Sequence, residues 1–155
     1  MRTIVSFLLA VTPAIISGQE NLVPANEIRE EIAHTILFNI VRDGPPPRWD
    51  QDTRRGWLME RGFRYDDADK IIRLATEFYE TQRALEKQIM SLGRDPSSAS
   101  REALTAERLR LDEEILRAAR RTAEKVLTEL RPEGRERFPD LIREIKAGTK
   151  MRRPQ

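Results

Sequence analysis

Isoleucines recur at four-residue spacing at Ile28, Ile32, Ile36 and Ile40, and Ala33, Leu37 and Val41 widen the stripe, which predicts a first helix over 27–41. Asp43-Gly44-Pro45-Pro46-Pro47 ends it, because consecutive prolines lack backbone donors and favour an extended rod. That rod reads as a spacer or outer wrap. Trp49 beside it either docks it onto the helices or belongs to a Pro-rich recognition peptide. A short helix over 51–60 follows, with Trp57 and Leu58 inward. It closes at Gly62, with Phe63 placed for the apolar contact that often follows a helix-terminating glycine.

The strongest pattern comes next. Ile71, Ile72, Ala75, Phe78, Tyr79, Gln82, Leu85, Ile89 and Leu92 trace one face of a helix over 66–92, with Asp66 as its cap and Asp69 in the first turn. Gly93 to Ser98 interrupts the pattern, and Ser97-Ser98 signals a new helix start. From 99 to 130, Leu104, Leu111, Ile115, Ala118, Thr122, Val126 and Leu130 form a stripe, broadened by Leu109, Leu116, Ala119, Ala123 and Leu127. Two long helices joined by so short a turn run antiparallel, giving a hairpin about 35–45 Å long at 1.5 Å per residue. Pro132 opens a last helix through Ile145, with Phe138, Leu141, Ile142 and Ile145 inward, and a short basic tail follows over 148–155. The expected fold is all-α: a long antiparallel helical hairpin packed with an N-terminal helix and shorter flanking helices.

Ahead of these elements stands MRTIVSFLLAVTPAIISG, with one Arg at position 2 and an apolar run from Ile4 to Ile16. It reads as a cleaved export signal over 1–18, with cleavage after Gly18 or after Ala14. An uncleaved anchor and a buried N-terminal helix are the alternatives. Thirteen residues of helix rise about 20 Å, short of the roughly 30 Å hydrocarbon core, so no permanent membrane span is expected. Export makes the expected location periplasmic or secreted, and the body over 19–147 a single helical domain. With no cysteine, disulfides, thiol catalysis and a lipid-modified cysteine anchor are all excluded, so stability rests on packing.

Charge narrows the partners. Lys and Arg number 28 against 26 Asp and Glu, a net +2 that serves solubility and is no nucleic-acid footprint. Nucleic acid is therefore not an expected partner. The basic tail supports at most weak contact with anionic lipid. Asp69 with Arg73, Arg108 with Asp112, Arg110 with Glu114, Glu113 with Arg117 and Arg120 with Glu124 are i,i+4 pairs, each worth roughly 0.2–0.5 kcal/mol if exposed.

Catalytic patterns are sparse. Glu31-x-x-His34 has the carboxylate and imidazole spacing of helical metal bundles, but His34 is the single histidine and a second such motif is missing. Glu31 and His34 are thus only weak metal candidates, and His34 reads as a partly exposed helix-surface residue beside Glu30. No glycine-bracketed serine elbow and no phosphate-binding glycine loop occurs. No cofactor is expected, and the chain reads as a non-enzyme.

The end of the hairpin, Leu130-Arg131-Pro132-Glu133-Gly134-Arg135-Glu136-Arg137-Phe138, resembles the leucine-threonine motif of small periplasmic helical-hairpin proteins through Leu130, Pro132, Glu133, Arg135 and Phe138. That group comprises the Spy and CpxP-like stress chaperones and the periplasmic metal-resistance sensors. The resemblance spans about 80 residues with the two long helices. It implies a protein that works through a surface, often as a dimer, with other proteins as partners and a homodimer as an open arrangement. On that reading Phe78, Tyr79, Arg83, Arg117 and Arg121 are candidates for the concave interaction surface. A structural or accessory subunit of an envelope complex, with Pro45–Pro47 and Trp49 as the docking feature, is the alternative role.

Overall fold

The computed structural model describes residues 28–43, 49–92 and 100–150. Five helices make it up: α1 Glu30–Asp43, α2 Gln51–Met59, α3 Tyr65–Leu92, α4 Arg101–Glu129 and α5 Pro132–Lys150. The fold is all-α, with no strand among the described residues. The expected signal over 1–18, the Pro45–Pro47 rod and the Ser97-Ser98 start lie outside the described residues, and no described helix is long and apolar enough to cross a membrane.

Local chemistry explains the helix ends. Thr53 N–H donates to Asp50 Oδ1 at 2.7 Å and opens α2, a bond that also holds the Asp50 carboxyl below its ordinary range. After α2, Phe63 N–H donates to the Leu58 carbonyl at 3.2 Å and Gly62 N–H to the Met59 carbonyl at 2.9 Å. That two-bond closure needs the left-handed φ of 88° found at Gly62, and it delivers Phe63 into the core. The cap of α4 is Ser100, whose Oγ accepts from Ala103 N–H at 3.2 Å. Asp66 is not the cap of α3, which already begins at Tyr65. Its carboxylate turns to the Arg131 guanidinium at 2.5 Å. α5 continues through Gly148 to Lys150, so helix takes up the first three residues of the expected tail.

The α3–α4 hairpin is the backbone of the molecule. α1 packs on both its helices and on α5, while α2 lies on α3. The core of α3 lies between Asp67 and Phe78, with Leu85 beyond it, and that of α4 begins at Leu111. Past these points the hairpin continues as a two-helix arm with only Ile89 and Leu92 partly packed against the core. At 1.5 Å per residue, the stretch from Tyr79 to Leu92 adds about 20 Å.

α1 departs from its predicted face. Its buried set is Ala33, His34, Leu37, Phe38 and Val41, whereas Ile28, Ile32, Ile36 and Ile40 are only half-buried. At about 100° per residue, the isoleucine row lies roughly 90–170° around α1 from the centre of the rows Ala33–Leu37–Val41 and His34–Phe38, so it flanks or opposes the face that is buried.

Where α3, α4 and α5 meet, a fully buried carboxylate does the joining. Asp67 is 0% exposed; its Oδ1 accepts from Arg131 N–H at 3.2 Å and from Lys70 Nζ at 3.4 Å. Lys70 also donates to the Glu129 carbonyl at 2.9 Å. Arg131 stands immediately before α5, and Asp67 takes up its backbone N–H from 64 residues away. The expected Asp69–Arg73 and Glu113–Arg117 pairs do not form. Asp69 pairs with Arg55 at 2.8 Å, Arg73 with Glu77 and Glu129, and Glu113 with Arg29 at 2.7 Å. The local pairs Arg108–Asp112, Arg110–Glu114 and Arg120–Glu124 are present at 4.0, 3.0 and 3.3 Å.

Candidate interaction surfaces and the His34 groove

The expected surface residues do not share one face. Phe78 is a core side chain, 2% exposed, with its ring centroid 5.4 Å from that of Phe38, so it is withdrawn as a surface residue. Tyr79 is half-buried beneath the Arg42 guanidinium, which also pairs with Asp43 at 2.8 Å. Arg83 is exposed one turn further along α3 and forms no ion pair among the described residues. Arg117 and Arg121 are exposed and, among the described residues, also without an ion pair. By helical phase they occupy the flank of α4 away from Ala123 and Leu127, which face α1. Trp49 is half-buried against α2: its ring lies 5.9 Å from that of Trp57, Arg61 stacks on Trp57 at 3.9 Å, and Arg54 donates twice to the Trp49 carbonyl. The aromatic expected to dock a partner is therefore spent on holding the start of α2.

Among its mostly charged exposed side chains the arm also displays two large apolar ones. Met90 and Leu109 are each 60% accessible, on the tipward half of the hairpin, beyond the core built with the other described helices. The sequence pattern had counted Leu109 as widening a buried stripe and had left Met90 out.

A groove of about 310 Å³ opens between α1, α4 and α5. Leu127, Phe138 and Ile142 form its apolar side, while Glu30, Glu31 and Glu124 supply carboxylates and Arg120 a guanidinium. His34 lies in its wall and is 6% exposed, correcting the expected surface placement. The imidazole stacks between Phe38 and Phe138 at centroid distances of 6.4 and 6.2 Å. Its Nδ1 is buried without a partner, and Nε2 lies 3.8 Å from Glu30, too far for a hydrogen bond. Burial pushes the His34 pKa down, aided by Lys146 and opposed by Glu30 and Glu31. Among the described residues no group of three His, Cys, Asp or Glu is arranged to hold a metal ion, so Glu31 and His34 gain no further ligand. A second groove, between α2 and α3, is lined by Arg73, Glu77 and Asp69, already tied in ion pairs.

The buried imidazole makes stability depend on pH with a definite sign. The unfolded chain, with an ordinary histidine near 6.5, takes up a proton before the folded one does. Stability is therefore retained above about pH 6.5 and falls as the pH drops through the window between the unfolded and folded values. In urea titrations at pH 7.5 and 5.0, His34→Phe should show a smaller acid-side loss than the native chain. Equal losses would show that His34 does not carry the effect.

Comparison with known proteins adds no relative: no family model, no curated protein and no solved structure matches this chain.

Proposed function

We propose that this chain is an exported helical protein of the bacterial envelope that holds other proteins, in the manner of a chaperone, through a surface and without catalytic chemistry of its own. One observation supports the reading: the α3–α4 hairpin extends beyond the core it forms with the other described helices and displays Met90 and Leu109 at 60% accessibility on that arm. Apolar anchors on a charged, rigid two-helix arm suit weak, electrostatically guided capture of exposed apolar segments. Export is supported by the signal-like residues 1–18. The resemblance of 130–138 to the Spy and CpxP-like group supports the same reading, though the buried role of the junction gives part of that motif a structural reason as well. The accessory-subunit alternative is weakened by Trp49, half-buried against α2.

The test is suppression of aggregation of an unfolded client, followed by light scattering at near-stoichiometric ratios. Met90→Asp combined with Leu109→Asp should leave helicity intact and change stability by no more than about 0.5 kcal/mol per site, since both side chains are largely exposed. The same double variant should lose most of the suppression. Full activity in that variant, or none in the native chain, would remove the reading.

A further inference from the structure

We propose that the groove between α1, α4 and α5 receives an arginine or lysine side chain of a protein partner, its head against Glu30 and Glu31 and its stem on Phe138 and Ile142. This rests on the protein-holding reading and names a residue type the partner brings.

The charge balance points there first. Three carboxylates line the groove against one guanidinium. Glu124 has that guanidinium, Arg120, at 3.3 Å. Glu31 lies 3.6 Å from Arg29, whose shorter bond, 2.7 Å, goes to Glu113. Among the described residues, Glu30 has no cation beside it, only the imidazole of His34 at 3.8 Å. Acids in the first turn of α1 offset the positive end of the helix, and that alone would account for them.

The helix end does not account for His34. A side chain 6% exposed, with neither ring nitrogen in a hydrogen bond, is an unmet polar group in the groove wall. As a neutral imidazole it can offer Nε2 as an acceptor beside the carboxylate of Glu30, so a guest N–H group there would meet both that nitrogen and the carboxylate.

Shape selects among cations. A small hydrated ion gains nothing from Leu127, Phe138 and Ile142, whereas the methylenes of a long basic side chain lie favourably on such a surface while the head stays polar. A volume of about 310 Å³ suits one such side chain rather than a large ligand. Lys146, which acts on His34 from α5, and Arg120 are the opposing cations, and Arg120 is turned to Glu124.

His34 is the single histidine, so its ring protons give one unambiguous nuclear magnetic resonance signal. The probe is acetyl-Gly-Arg-Gly-amide, compared with the same peptide carrying citrulline, a neutral isostere of arginine. The arginine peptide should shift the His34 signal saturably and lower its titration midpoint, because a bound cation opposes imidazolium formation. Glu30→Gln with Glu31→Gln should weaken binding by about fivefold or more while circular dichroism stays unchanged. No shift, or equal shifts from both peptides, would overturn the proposal. Aggregation suppression by the native chain, measured beside the peptide titration, separates the two readings. Suppression retained without a peptide shift sinks only the groove, whereas a peptide shift with suppression unaffected by the Met90 and Leu109 changes sinks only the arm.

Discussion

Phe78→Ala is expected to destabilise the protein by about 3–5 kcal/mol, measured as a lowered urea midpoint, and to abolish any activity through unfolding. The ring is 2% exposed, packs against Phe38, and sits where α1 meets α3. Truncation leaves a cavity in a core that no disulfide supports, since the chain has no cysteine. For a chain of this size such a loss is a large share of the total stability of roughly 5–15 kcal/mol. Arg83→Ala, one turn beyond Tyr79 and exposed, should by contrast change stability by less than about 0.5 kcal/mol. A Phe78→Ala protein that kept a native midpoint would mean that α1 does not pack as described.

The second large effect is a coupling. A Cβ on Gly134 would lie 2.8 Å from Asp67 Oδ2, closer than real Cβ contacts come, and 3.3 Å from its Cγ, which is tight. Gly134→Ala should therefore cost about 1–3 kcal/mol, although alanine ordinarily favours a helix over glycine by about 1 kcal/mol. Asp67→Ala should cost roughly 2–3 kcal/mol, because the Arg131 N–H and the Lys70 ammonium lose a buried acceptor. In the Asp67→Ala background the obstruction is gone, and Gly134→Ala should become neutral or favourable. A double-mutant cycle in urea reads the difference. Additive losses would show that the two residues do not touch. Gly56 and Gly148 have nothing within 4 Å of a built Cβ, so alanine there is the matched control.

Much of the scaffold was legible because its causes are local. The periodicity of 66–92 and 99–130, the chain reversal between them, the glycine closure at Gly62 with Phe63 behind it, and Pro132 at the start of α5 each depend on residues within a turn or two. The pairs Arg108–Asp112, Arg110–Glu114 and Arg120–Glu124 belong to the same class. The groove was half legible: Glu31 and His34 were singled out for their spacing, but Arg120, Glu124, Phe138 and Ile142 join them only through packing. Met90 and Leu109 carried a weaker signal, since no local pattern says where α1 and α5 cease to cover the hairpin.

The amino-acid sequence by itself determined an all-α chain, the order of its helices, the antiparallel hairpin and the turn at Gly62. Only the tertiary structure decided that Asp69 serves Arg55, that Glu113 serves Arg29, that Phe78 and His34 are interior, and that Asp67 takes up the N–H of Arg131 just ahead of α5. The physical reason is competition. A local pair is worth only a few tenths of a kcal/mol, so once packing brings a better-placed or less solvated partner alongside, the long-range contact prevails.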